Sequence, residues 1–129
     1  MNFILDTHLL IWSINEPSKL SKNTLNIVSN TDNTIFVSAA TLWELQIKKS
    51  LGKITLPDNF SSLLEKGGFE LLNIQINHIN KIDILPSIHR DPFDRMLIAQ
   101  SICENIPLVT NDIEIMKYNL DNLKIIQNI

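Results

Sequence analysis

Apolar residues in this chain gather in short unbroken runs, and longer amphipathic stretches separate the runs. Phe3-Ile4-Leu5, Thr34-Ile35-Phe36-Val37 and Pro107-Leu108-Val109 do not alternate apolar with polar positions, the pattern of strands covered on both faces. A further strand is expected within Phe69 to Ile76, diluted by Asn73 and Gln75, and a last one over Leu123 to Gln127. Helical patterns fill the intervals. Thr7 is placed to cap a helix carrying Leu9, Leu10, Ile11 and Trp12, stopped before Pro17, and Ser21 to cap a second through Leu25, Ile27 and Val28. Ser38 caps Ala39 to Leu51, with Gly52 at the carboxyl end. Leu56-Pro57-Asp58 opens a helix through Leu63 and Leu64 that Gly67-Gly68 closes. Asn77 caps another through Ile79, Ile82 and Leu85, ended by Pro86. The strongest signal is Asp91-Pro92, a capping aspartate followed by proline at the first helical position, with Phe93 to Cys103 behind it. Asn111 to Lys117 reads as a short helix. Apolar strands alternating with helices predict a three-layer α/β/α sandwich around a central, mostly parallel sheet of four or five strands.

Composition narrows the setting. The 129 residues fit one domain over 1–129, with a self-sufficient core, and no low-complexity segment suggests a linker. The start lacks the basic and long apolar stretches of a signal peptide, and no run is long enough to span a bilayer, so no membrane association is expected. A single cysteine, Cys103, rules out an internal disulfide; with Ile102 beside it and Met96-Leu97-Ile98 upstream, it reads as a buried, inert thiol in a cytoplasmic protein. The net charge of -3 argues against nucleic-acid binding by bulk electrostatics. That argument weakens if carboxylates hold cations, because bound cations cancel the deficit locally and leave Lys48, Lys49, Lys53, Arg90 and Arg95 to face phosphates.

The placement of the acids carries the chemistry. Asp6 directly follows the first strand, Glu44 lies on the helix after the second, Asp94 lies in the first turn of the Asp91-capped helix, and Thr110-Asn111-Asp112 follow the third clear strand. In open α/β sheets, sites form beyond the carboxyl ends of strands, so these acids are predicted to converge. Converging carboxylates raise one another's pKa, and a cation is needed to keep them ionised together. Oxygen ligands select hard ions, magnesium or manganese rather than zinc, and such ions favour phosphate ligands.

Each acid also has an ordinary structural role. Asp6 can begin a turn, Glu44 can pair with Lys48 one helical turn on, Asp91 is an apt cap, Asp94 suits the helix dipole, and Asp112 can cap the next helix. The joint placement, rather than any single acid, points to a site. His8, His78 and His89 have no ligand spacing with one another or with Cys103; His8 stands next to the pocket, and His89-Arg90 reads as a solvated loop near phosphate. Trp12 and Trp43 fit core positions better than base-stacking ones. No glycine-rich phosphate loop, dinucleotide fingerprint or nucleophile elbow is present. An aspartyl-phosphate enzyme fits poorly, since position 8 is His8 rather than a second aspartate; a receiver domain lacks its late lysine after Val109.

Leu5-Asp6-Thr7-His8, Ser38-Ala39-Ala40-Thr41-Leu42-Trp43-Glu44, His89-Arg90-Asp91-Pro92-Phe93-Asp94-Arg95 and Thr110-Asn111-Asp112 together resemble the PIN-domain family, and within it the VapC-type toxin ribonucleases of type II toxin–antitoxin systems. The match spans essentially the whole chain, in order. The resemblance implies a metal-dependent endoribonuclease with Asp6, Glu44, Asp94 and Asp112 as catalytic, metal-binding acids and Thr110 in support. Asp91 matches a common position of this branch without being one of its usual ligands. It further implies one or two Mg²⁺ or Mn²⁺ ions, products with 5′-phosphate and 3′-hydroxyl ends, an RNA substrate, a homodimer and a cognate antitoxin. Lys48, Arg90 and Arg95 are the candidate RNA contacts. The alternative is a non-catalytic RNA- or protein-binding module on the same fold.

Overall fold

A computed structural model describes residues 1–129. Strands β1 (Asn2–Leu5), β2 (Thr34–Ser38), β3 (Glu70–Leu72), β4 (Leu108–Thr110) and β5 (Ile125–Gln127) form one sheet in the order β3-β2-β1-β4-β5. Every neighbouring pair is parallel, with Phe3 opposite Ile35 and Leu5 opposite Val109. The expected sandwich is therefore present, and its sheet has five strands, all of one direction.

The pleat sorts side chains to two cores. Phe3, Leu5, Ile35, Val37 and Val109 face helices α1 (Thr7–Asn15), α2 (Lys22–Ser29), α3 (Ala39–Ser50) and α4 (Phe60–Lys66) through Leu9, Leu10, Ile27, Leu45 and Leu64. Ile4, Phe36 and Leu108 point the other way. They meet α5 (Ile76–Asp83), α6 (Pro92–Glu104) and α7 (Ile113–Met116) through Ile82, Leu97, Ile98 and Ile115. Both faces of each central strand are covered, which is why those strands lack polar alternation. Burying such a side chain is worth about 1.5–3 kcal/mol, and truncating the fully buried Ile98 to alanine should cost about 2–5 kcal/mol. No helix is long and apolar enough to cross a membrane.

Several local expectations shift. Asp6, not Thr7, caps α1, its Oδ1 accepting from the N–H of Leu9 at 2.9 Å. Gln75, not Asn77, precedes α5, and the imidazole Nδ1 of His78 accepts the Gln75 N–H at 3.0 Å. Helix α4 starts only at Phe60, after a turn at Asp58 and Asn59, and Ile54 and Leu56 ahead of that turn pack against the first core. Strand β3 stops at Leu72, and the carbonyl of Asn73 accepts from the Gln100 side chain instead.

Trp43 is the larger correction. It is 60% exposed, because α3 turns Ala40, Thr41 and Leu45 to the core and Trp43 lies off that arc. Its ring stands edge-on to Phe93, with centroids 5.2 Å apart. Trp12 packs partly buried against the first core as expected. Cys103 is half-buried rather than buried, its thiol 3.6 Å from the Asn77 carbonyl.

Candidate active site

The strand order reverses direction about β1, whose neighbours are β2 and β4, and open parallel sheets form their crevice at such a point. Asp6 leaves the carboxyl end of β1 here and Thr110 ends β4 beside it. Asp6 is only 3% exposed, yet its carboxylate is well supplied with donors. Oδ1 takes the Leu9 N–H; Oδ2 takes the Asn111 N–H at 3.2 Å and the hydroxyl of Thr110. Thr110 Oγ1 in turn accepts the Asp112 N–H at 2.9 Å. A single hydroxyl thus ties the first acid to the loop that carries the last.

Asp112 caps α7, its Oδ1 accepting from Glu114 N–H at 2.8 Å, which leaves Oδ2 turned toward His89. Asp94 sits in the first turn of α6, while Asp91 performs the capping, its Oδ1 accepting from the N–H groups of Phe93 and Asp94. Glu44 arrives from α3. The hydroxyl of Thr7 donates to Glu44 Oε1 at 2.9 Å and lies 3.1 Å from that of Thr41. Glu44 Oε2 also meets Lys48 Nζ at 3.2 Å, so the expected helical ion pair exists on a carboxylate that is mostly buried.

His89 completes the cluster, and sequence reasoning had left it in a solvated loop. Its Nδ1 accepts the Asp91 N–H at 3.2 Å, which assigns the neutral ring's proton to Nε2. Nε2 then lies 2.9 Å from Asp94 Oδ2 and 3.3 Å from Asp112 Oδ2, one donor between two carboxylates. The signal available in the sequence was position, two residues ahead of the Asp91 cap. His8, expected near the pocket, is exposed and makes no hydrogen bond to the acids, yet it stands close enough for its charge to act on Asp6.

The electrostatics register the crowding. Burial pushes Asp94 up, and the charges of Asp91, Asp112, Glu44 and Asp6 push it further, to about 8. Burial likewise raises Asp6, outweighing its donors Thr110, Leu9 and Asn111. Partial burial acts upward on Asp112 too, but the Glu114 N–H, the hydrogen bond and charge of His89 and the Ile115 N–H hold it below the usual carboxylate range. Oxygen donors from four separate segments, mutually repelling and recessed, fit a hard divalent cation. His89, Asp94 and Asp112 alone bring ligand atoms within 4.8 Å of one another.

The candidate cations divide. Lys48 borders the site through Glu44, and Arg90 is exposed beside it. Arg95 turns inward instead. Its guanidinium donates to the carbonyls of Pro86 and Ile82 at 2.9 and 3.1 Å and to Tyr118 Oη at 3.1 Å, so it braces the loop that carries His89.

The PIN domain family model matches residues 3–119. Among solved structures, VapBC2 from Rickettsia felis bound to a DNA fragment from its promoter is similar at a TM-score of 0.72 and 24% identity, over 98% of each chain. DNA-bound VapBC from Salmonella typhimurium matches at a TM-score of 0.68 and 20% identity, again over 98% of each chain. VapBC-1 from nontypeable Haemophilus influenzae gives 0.66 and 16% over the same share of each. At these identities the likeness is one of fold. No curated protein matches the sequence.

Proposed function

The chain belongs to the PIN domain family, and on that premise we propose that it is a metal-dependent endoribonuclease acting as the toxin of a type II toxin–antitoxin system in the cytoplasm. One observation carries the reading: Asp6, Glu44, Asp94 and Asp112 come from four segments distant in sequence, and the first two and the last stand close enough for their charges to act on the recessed carboxyl of Asp94. A structural role explains one acid at a time. It does not explain why four share a recess at a cost in repulsion.

The acids would hold one or two Mg²⁺ or Mn²⁺ ions. Bound there, the metal supplies a water of lowered pKa and a counter-charge for the scissile phosphate. The chain's own residues do the positioning. Thr110 fixes Asp6 relative to Asp112, Thr7 aims Glu44, and the Asp91 cap and Arg95 hold the loop from which His89 reaches Asp94. His89 keeps a proton on Nε2 between Asp94 and Asp112, which eases their repulsion before a cation arrives.

The partners follow from the same reading. An antitoxin arginine that paired with the carboxylates would inhibit by taking the cation's place. A homodimer has a candidate face where Trp43 and Ile79 border an apolar groove of about 280 Å³ against Phe93 and Met96. The test is expression in a bacterium. Wild type should arrest growth, Asp94→Asn should not, and co-expressed antitoxin should restore it; arrest by both proteins alike would remove the acids from the toxic activity.

A further inference from the structure

Every carboxylate oxygen of Asp6, Glu44, Asp94 and Asp112 except Asp94 Oδ1 already meets a donor from this chain. A backbone N–H or a threonine hydroxyl can share its oxygen with a cation, because a carboxylate oxygen has more than one lone pair. His89 differs in standing between two acids, its Nε2 2.9 Å from Asp94 Oδ2 and 3.3 Å from Asp112 Oδ2. The three groups are spaced as metal ligands would be, yet the imidazole offers the wrong nitrogen. Nδ1 accepts the Asp91 N–H at 3.2 Å, so Nε2 carries a hydrogen and no lone pair. To ligate, the ring would have to move that proton to Nδ1, where it would meet the Asp91 N–H donor to donor.

The loop under the ring is fixed as well. The His89 N–H donates to Tyr118 Oη at 3.0 Å, and its carbonyl accepts from Arg95 Nη1 at 3.4 Å. Tyr118 is 4% exposed and lies just beyond α7, the helix that Asp112 caps. The chain thus closes a circuit. Asp112 starts α7, Tyr118 follows it and holds the His89 backbone, and the His89 ring returns to Asp112. Arg95, next to Asp94 on α6, closes a matching one from the other side.

We propose that His89 fills, as a fixed part of the chain, the place a second metal ion would take between Asp94 and Asp112, so that the centre holds one divalent ion, anchored on Asp94 Oδ1. The proposal rests on the ribonuclease reading above and decides the ion count that this reading leaves at one or two. A two-ion centre needs free carboxylate oxygens on both sides of a gap of about 4 Å. Here an N–H closes the Asp112 side. A single ion suits the oxygens that remain, because Mg²⁺ takes few carboxylates and keeps several waters.

The test counts ions on the full chain without RNA. Calorimetric titration with Mn²⁺ gives the stoichiometry, and electron paramagnetic resonance separates an isolated ion from a spin-coupled pair. Wild type should take about one ion per chain, with the spectrum of an isolated ion up to saturation. His89→Ala should take about two, with a coupled spectrum, and adding Asp112→Asn to it should bring the count back to one. His89→Gln, whose amide restores an N–H at that reach, should keep the wild-type count. Two coupled ions on wild type overturn the proposal whether or not any variant folds, and leave the ribonuclease to its own cleavage assay. His89→Ala that stays folded by circular dichroism and still takes one ion overturns it too. Wild type that binds no Mn²⁺ and leaves RNA intact would remove the ribonuclease and the ion count together.

Discussion

Asn in place of Asp94 keeps the side chain's size and cannot ionise, so Asp94→Asn isolates the charge of the acid that the other carboxylates crowd. In the metal-free protein Asp94 is raised to about 8, against an ordinary aspartate value of 3.8. Between these values the folded state holds a proton that the unfolded state has lost, so stability falls as pH rises through this window and levels off above about 8. At 1.36 kcal/mol per unit, the penalty at pH 8 has a ceiling of about 5 kcal/mol. Titration shared with Asp112 lowers it, and we expect Asp94→Asn to gain on the order of 2 kcal/mol in EDTA at pH 8. That corresponds to a Tm rise of about 6 °C in a chain of this size, shrinking toward zero near pH 4. Thermal melts monitored by circular dichroism, across pH 4–8.5 with EDTA, measure it. A variant less stable than wild type at pH 8, by the roughly 1 kcal/mol of a lost helix-terminal interaction, would refute the reasoning and make Asp94 a structural residue.

Three further outcomes are expected. Thr110→Val keeps the shape but removes the hydroxyl joining Asp6 to the Asp112 N–H, and should cost about 1–3 kcal/mol in urea denaturation while reducing cleavage. Arg95→Ala should destabilise by about 2 kcal/mol through its lost carbonyl and Tyr118 contacts; RNA affinity per folded molecule should not change, in contrast to Arg90→Ala. Divalent ion at a hundredfold excess over its Kd should add about 2.7 kcal/mol to wild-type stability, reversed by EDTA, with a much smaller gain in Asp94→Asn.

The acids were legible in the sequence because of where strands end. Asp6 and Asp112 follow unbroken apolar runs, so a parallel sheet had to bring them to one edge, and Asp91-Pro92 marked the helix start that carries Asp94. The cap of α1 was misplaced by one residue because Asp and Thr both cap well. What decided between them was tertiary: Asp6 must face Thr110 and Asn111, and its Oδ1 is then already in reach of Leu9. His89 was not legible because a loop residue carries no periodicity; only the distances to Asp94 and Asp112 expose it. Arg95 and Trp43 went wrong for the same reason in opposite directions. Residue type suggested a surface cation and a core aromatic, while the helix phase of α6 aimed Arg95 at the carbonyls of Pro86 and Ile82, and that of α3 aimed Trp43 outward.

The central claim is that the four acids make one metal-dependent nuclease centre. Its most direct test is cleavage of bacterial RNA by the purified chain, free of any antitoxin, with Mg²⁺, with Mn²⁺ and with EDTA, and with Asp6→Asn and Asp94→Asn alongside. We expect cleavage by wild type with either ion, none in EDTA, and none by either variant under any condition. Cleavage that persists in EDTA or in Asp94→Asn, or wild type that leaves RNA intact and binds neither ion by calorimetry, would contradict it.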